Sequence, residues 1–306
     1  LPQRANHLDG AAMRKRFPAT ALAIAFIAVN VVGLFFLQDW MREGQARSLH
    51  GPVIYETVSD FSHIRVREKD SLRGLFFVDP EGQEQRQSAI DLDHPEELQL
   101  GYSRSIFISL LFRRPQEQVL IVGLGGGGMV RFLNQKLPET QVDAVEIDPV
   151  VVKIAADYFG TDNGPNTSIY TEDAFVFLKE PHGPYDVIYM DAFLKPPTES
   201  GLKELQQRLK TVVFLQDVKA RLEPEGLVAI NLIETDDSTE SDLEALREAF
   251  AQVYVFGVPG TYNLAVIASQ NPERISAEEL RARAAALDEE SEIGFEFAPL
   301  VKLLRD

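Results

Sequence analysis

The 306-residue chain contains no cysteine, which excludes disulfides, thiolate-bound zinc and thiol catalysis and leaves the redox compartment open. It is also short of positive charge. Thirty Lys and Arg face 47 Asp and Glu, a formal charge of −17, and no basic run occurs in the body of the chain. Nucleic acid is therefore not an expected partner. The acidic balance suits a solvated surface, or a cationic small substrate such as a polyamine. His63, His94 and His182 are isolated in polar segments without ligand spacing, so no metal is expected. Internal repeats and low-complexity tracts are lacking as well. With 45% hydrophobic and 25% charged residues the chain can bury a sizeable core, and one large domain with a small accessory domain is the natural expectation.

A long apolar run occurs once. Residues 17 to 38, from Phe17 to Gln38, carry no charge and follow Arg14, Lys15 and Arg16. The run matches the roughly 20 residues that cross a bilayer as a helix. It favours an uncleaved, single-pass transmembrane anchor after an N-terminal tail over 1 to 16, with Trp40 at the interface; a cleaved signal peptide or a buried core helix are the alternatives. The basic cluster points the N-terminus to the cytoplasm. Arg42 and Arg47 on the far flank dilute that bias, so the side of the membrane stays open.

Beyond the run, VIYETV, HIRVRE and LRGLFFVD between 53 and 79, with a turn at Asp79-Pro80-Glu81-Gly82, predict a small antiparallel β-domain over 50 to 95. A helix is predicted over 96 to 113. From 118 the pattern becomes strands alternating with helices: strands at 118–125, 141–148, 168–173, 185–192 and 226–234, helices at about 128–136, 149–158, 174–179 and 203–222. Nearly continuous apolar strands in such an order imply a parallel sheet covered on both faces. VYVFGVPG and NLAVIAS then read as an edge hairpin, and an amphipathic helix from Ala277 opens a C-terminal helical segment over 276 to 306. The fold class is thus α/β, a Rossmann-like domain over 96 to 275 preceded by a small β-domain.

Gly123-Leu124-Gly125-Gly126-Gly127-Gly128 satisfies G-x-G-x-x-G between a strand and a helix. Such glycines let the backbone approach a ligand, while the helix N-terminus offers unpaired N–H donors. Glu146 ends the second strand, where a carboxylate can accept both hydroxyls of an adenosine ribose. Asp148 before Pro149 reads as a helix cap. Asp173 follows the third strand and Asp191 the fourth. Glu146, Asp173 and Asp191 therefore converge on the crevice at the carboxyl ends of the strands, although each could singly be a cap. Asn231, at the end of the fifth strand, could face the same crevice, although capping a loop is the favoured reading, and the Tyr262-Asn263 pair reads as turn chemistry.

IVGLGGGGM, DAVEIDP, TEDAF and YDVIYMDAF resemble the adenosylmethionine-fold core of the spermidine synthase group of polyamine aminopropyltransferases and their methyltransferase-like relatives. The resemblance covers roughly 53 to 270. It implies that the glycine loop lines the donor's methionine-derived chain, that Glu146 binds ribose, and that Asp173 with Ala174 contacts adenine. It further implies that Asp191 takes a proton from the attacking amine, with Tyr102 and Gln83 on the substrate side. The donor would be S-adenosylmethionine or its decarboxylated form, the acceptor a polyamine amine, and a homodimer remains open. An ammonium must lose a proton before it can attack carbon beside a sulfonium, which gives a positioned carboxylate its role.

The chain departs from the family on the amine side. Gly128 stands where the family's loop carries an acid, Leu194 and Lys195 replace the second acid after Asp191, Ser103 and Arg104 follow Tyr102, and Ser62 stands where Gln is common. The sequence therefore leaves four readings: aminopropyl transfer, placed first; methyl transfer from S-adenosylmethionine, favoured by Gly128; a non-catalytic, membrane-anchored binder of adenosyl ligands; and NAD-dependent oxidation, which leaves Asp173, Asp191 and the hairpin unexplained.

Overall fold

The computed structural model describes residues 42 to 192, 211 to 234, 238 to 290 and 293 to 305. The elements below belong to the unit Leu49–Asp306. The apolar run over 17 to 38 lies outside the described residues. Among those residues no helix is long and apolar enough to cross a membrane. The membrane-anchored, single-pass localisation expected from that run is corrected accordingly: what the structure supports is the α/β unit.

Four antiparallel strands come first: β1 (Val53–Val58), β2 (His63–Lys69), β3 (Leu72–Val78) and β4 (Glu84–Asp91), paired in that order. β1 alternates between half-buried and exposed positions, as a strand with one covered face should. The covered face presents Ile64, Val66, Leu75 and Ile90 to Val151, Ile154 and Phe159 of a helix of the main domain, Pro149–Phe159. Burying such side chains stabilises this docking by about 1.5–3 kcal/mol each. On the same sheet the fully buried Arg67 makes paired contacts from Nε and Nη2 to the Glu84 carboxylate, at 2.8 Å each, tying β2 to β4. β4 thereby comes to rest over the glycine loop.

The main sheet contains β5 (Gln118–Val122), β6 (Gln141–Glu146), β7 (Thr167–Thr171), β8 (Tyr185–Met190), β9 (Leu222–Ile233), β10 (Gln252–Gly257), β11 (Asn263–Ser269) and β12 (Leu304–Arg305). Their spatial order is β12-β10-β11-β9-β8-β5-β6-β7. The run from β9 to β7 is parallel, and its central strands are buried on both faces: all six residues of β8 are buried. The chain winds outward from β5 through β6 to β7, then crosses back to β8 on the other side. The crevice between the carboxyl ends of β5 and β8 is therefore the topological switch point, where open sheets bind ligands.

Three differences from the sequence reading concern placement. β4 went unpredicted because its first four residues, EQRQ, are polar and read as loop. The helix predicted over 96 to 113 is a short one, Gly101–Ile106, followed by a 3-10 turn over Phe107–Leu111. The hairpin β10–β11 is not the sheet edge, since β12 pairs outside β10; two residues are too few for a period-two pattern to announce a strand.

Candidate active site

The glycine loop leaves β5 and enters the helix Gly128–Lys136. Gly123 at φ +94°, Gly125 at +54° and Gly127 at +70° occupy left-handed backbone that side chains disfavour. Gly123, Gly125 and Gly128 line the pocket at the carboxyl ends of β5 and β8. Gly126 and Gly127, expected from the sequence to line the donor as well, lie behind it against neighbouring protein. A Cβ on Gly126 would fall 2.8 Å from Ser88 Oγ and from the Phe159 ring, and one on Gly127 would fall 2.2 Å from the Thr161 side chain. These two glycines let the loop close against neighbouring protein. Arg131, one turn into the helix, fastens the closure. Its guanidinium donates to the carbonyl oxygens of Gly126, Phe159 (3.0 Å) and Pro95 (3.1 Å) and to Thr161 Oγ1 (2.6 Å). Burial lowers its pKa to about 10, which leaves it charged at neutral pH.

Across the loop, the Glu146 carboxylate accepts from Leu124 N (3.0 Å) and Asp148 N (3.1 Å). Burial raises its pKa above the usual carboxylate range, against the pull of those N–H groups. Asp148 is the helix cap that the sequence predicts, accepting from Val150 N at 2.9 Å. Asp173 does two things at once: it caps the helix Ala174–Phe177 through Phe175 N (2.9 Å) and, with Ala174, lines the pocket.

Asp191 lies one residue past β8. Its main-chain N–H donates to Val122 O (2.9 Å), continuing the β5–β8 ladder. Its carboxylate accepts from Asn231 Nδ2 at 2.8 Å and from the Tyr102 hydroxyl, which also lies 3.3 Å from Gln87 O. Burial pushes the Asp191 carboxyl up to about 6, while the Asn231 and Tyr102 hydrogen bonds oppose the rise. Burial and the neighbouring Asp191 in turn raise the Tyr102 phenol well above its ordinary value. The carboxylates of Glu97, Glu146, Glu172, Asp173 and Asp191 line the pocket, and among the described residues no Lys, Arg or His does. Such a pocket concentrates cations.

Residues 100 to 271 match the family model described as the spermine/spermidine synthase domain. The chain belongs to the spermine/spermidine synthase family. It is 32% identical over 251 residues to a polyamine aminopropyltransferase of Chromobacterium violaceum, covering 81% of this chain and 91% of that one. It is also 30% identical over 215 residues to the mouse eEF1A lysine and N-terminal methyltransferase, covering 68% of this chain and 30% of the relative. The fold matches a probable spermidine synthase from Corynebacterium glutamicum with a TM-score of 0.63 at 21% identity, over 78% of this chain and 87% of that one. Human methyltransferase-like protein 13, solved with SAH, matches at TM-score 0.54 and 28% identity, over 61% of this chain and 90% of that one.

Within this spermidine synthase-like site, Gln83, expected on the substrate side, is not among the residues lining the pocket. It is exposed in the β3–β4 turn, where its N–H bonds to Asp79 Oδ1 at 2.7 Å. Gln87, four residues along β4, lines the pocket instead, followed by Ser88 and Ala89. Tyr102 reaches the site through its hydroxyl. Asn231, expected to finish a loop, faces Asp191, and Asn263 backs it. The strand-end position of Asn231, level with Asp191 on the neighbouring strand, was the available signal. Leu194 and Lys195 lie outside the described residues.

Proposed function

We propose that the chain transfers an aminopropyl group from decarboxylated S-adenosylmethionine to a polyamine amine. The observation that carries this reading is Asp191, a half-buried carboxylate with its pKa raised to about 6, in a pocket lined by acids and by no cationic side chain among the described residues. A decarboxylated donor is cationic at both its sulfonium and its ammonium, and the acceptor is a polycation. S-adenosylmethionine adds a carboxylate that such a pocket repels.

The residues fit the donor. Glu146, fixed by two backbone N–H groups, would accept from ribose, and Asp173 with Ala174 would meet adenine. Gly123, Gly125 and Gly128 would flank the methionine-derived chain, with Leu124 and Met129 as apolar walls. In the reaction Asp191 accepts a proton from the acceptor ammonium, freeing a lone pair. That nitrogen attacks the carbon beside sulfur; the C–N bond forms as the C–S bond breaks, and the bonding pair returns to sulfur as a neutral thioether. Loss of the sulfonium charge weakens the product's hold on an acidic pocket, which favours release.

Methyl transfer from S-adenosylmethionine is the second reading, supported by the identity to methyltransferase relatives. Calorimetry separates the two. Tighter binding of the decarboxylated donor is expected, and tighter binding of S-adenosylmethionine would favour methyl transfer.

A further inference from the structure

Asn263 and Asn231 form a two-step amide relay behind Asp191. Nδ2 of Asn263, the first residue of β11, donates to Oδ1 of Asn231 on β9 at 2.8 Å, and Nδ2 of Asn231 donates to Oδ1 of Asp191 at 2.8 Å. Asn231 is buried, so water has little access to either end of its amide.

A carboxamide carries a donor at one end and an acceptor at the other, and a half-turn exchanges them. With Oδ1 of Asn231 engaged by Asn263, its donor end is turned to Asp191, an orientation that favours the ionised carboxylate. The flipped amide would set an acceptor against Asp191 and favour the protonated acid. The other groups around Asp191 are its partner, the Tyr102 hydroxyl from the Gly101–Ile106 helix, and, lining the pocket, Glu146 at the end of β6, Glu172 and Asp173 after β7, and Glu97 ahead of that helix. Each of these carboxylates disfavours a further negative charge, and no cation among the described lining residues compensates. The orientation of the Asn231 amide therefore has leverage over the state of Asp191.

We infer that Asn263 is a positioning residue of the transferase site: it fixes the Asn231 carboxamide with its N–H toward Asp191 and so holds Asp191 as a carboxylate. The inference rests on the reading of Asp191 as the proton acceptor. It also gives the antiparallel hairpin a part in the chemistry, since β11 delivers Asn263 to a site otherwise built on parallel strands.

The test is a carbon-13 NMR titration of protein labelled at the Asp carboxyl carbon, with the Asp191 signal identified by its absence in Asp191→Asn. Asn263→Ala should move the Asp191 midpoint upward by about half a unit or more, and Asn231→Ala by about one to two units, the scale of a lost hydrogen bond to a charged group. Asn263→Asp keeps the side-chain size and should also shift the midpoint upward, because its carboxylate draws the Asn231 donor end away. The pH profile of turnover should move in the same direction. Midpoints unmoved in both Asn263 variants, with melting temperatures near the parent's, would overturn the relay. The titration needs no turnover, so an inactive parent whose Asn263 variants still shift would count against aminopropyl transfer and for the relay.

Discussion

Gly123 lies against the main chain of Asp191: a Cβ at Gly123 would fall 2.7 Å from the Asp191 carbonyl oxygen. The loop proposed to cradle the donor and the carboxylate proposed to accept the proton thus meet across the β5–β8 crevice. Gly123→Ala should lower stability by about 2–4 kcal/mol, because it combines left-handed backbone with a clash against main chain. A Cβ on Gly128 would meet nothing closer than 3.9 Å, so Gly128→Ala should change stability by less than about 1 kcal/mol. Urea unfolding of the two variants checks the contrast.

Asp191→Asn removes the proton acceptor and leaves the loop and Glu146 in place. Turnover should fall by about 10²–10⁴-fold. Affinity for methylthioadenosine should stay within a few-fold, since the ribose contact is untouched. Loss of nucleoside binding in this variant, measured by calorimetry, would assign Asp191 another role.

Much of this was legible in the sequence, and the reasons are physical. Glycines in G-x-G-x-x-G and acids at strand ends are local signals, so the loop, Glu146, Asp173 and Asp191 could be located from spacing alone. Which glycines face the pocket was not legible, because Gly126 and Gly127 are fixed by Phe159, Ser88 and Thr161, residues distant in sequence. Gln87 was missed for a related reason. β4 begins with polar residues, and only its pairing with β3 and the docking of the small sheet bring Gln87 to the pocket. Asn231 and Asn263 gained their meaning from the β9–β11 register, which no single segment encodes.

Asp191 also sets opposite pH trends for activity and stability. As a base it must be ionised, so kcat/KM should rise with pH through about 6. Its pKa lies above the unfolded value, so the folded state binds the proton more tightly. Its contribution to stability is present in full below the unfolded pKa and is lost as pH rises from about 4 to about 6. Asp191→Asn should therefore raise stability at pH 8 by about 1–3 kcal/mol, with the gain vanishing toward pH 4. Melting temperatures of parent and variant across that range test the sign.

Arg131 holds the glycine loop closed through Gly126 O and Thr161 Oγ1 without entering the pocket. Arg131→Met keeps much of the apolar stem and removes these bonds. Affinity for methylthioadenosine should weaken by about tenfold, the scale of one lost hydrogen bond to a charged group, with Asp191 still able to act at saturating donor. A fall in kcat with unchanged affinity would contradict this division of roles.

The most direct measurement is product mass spectrometry with purified protein, putrescine, cadaverine or spermidine as acceptor, and each donor supplied separately. Aminopropyl transfer predicts an acceptor heavier by one aminopropyl unit, together with methylthioadenosine, from decarboxylated S-adenosylmethionine, and no methylated amine from S-adenosylmethionine. A methylated product with adenosylhomocysteine, and no aminopropylated amine from any of the three acceptors, would contradict it.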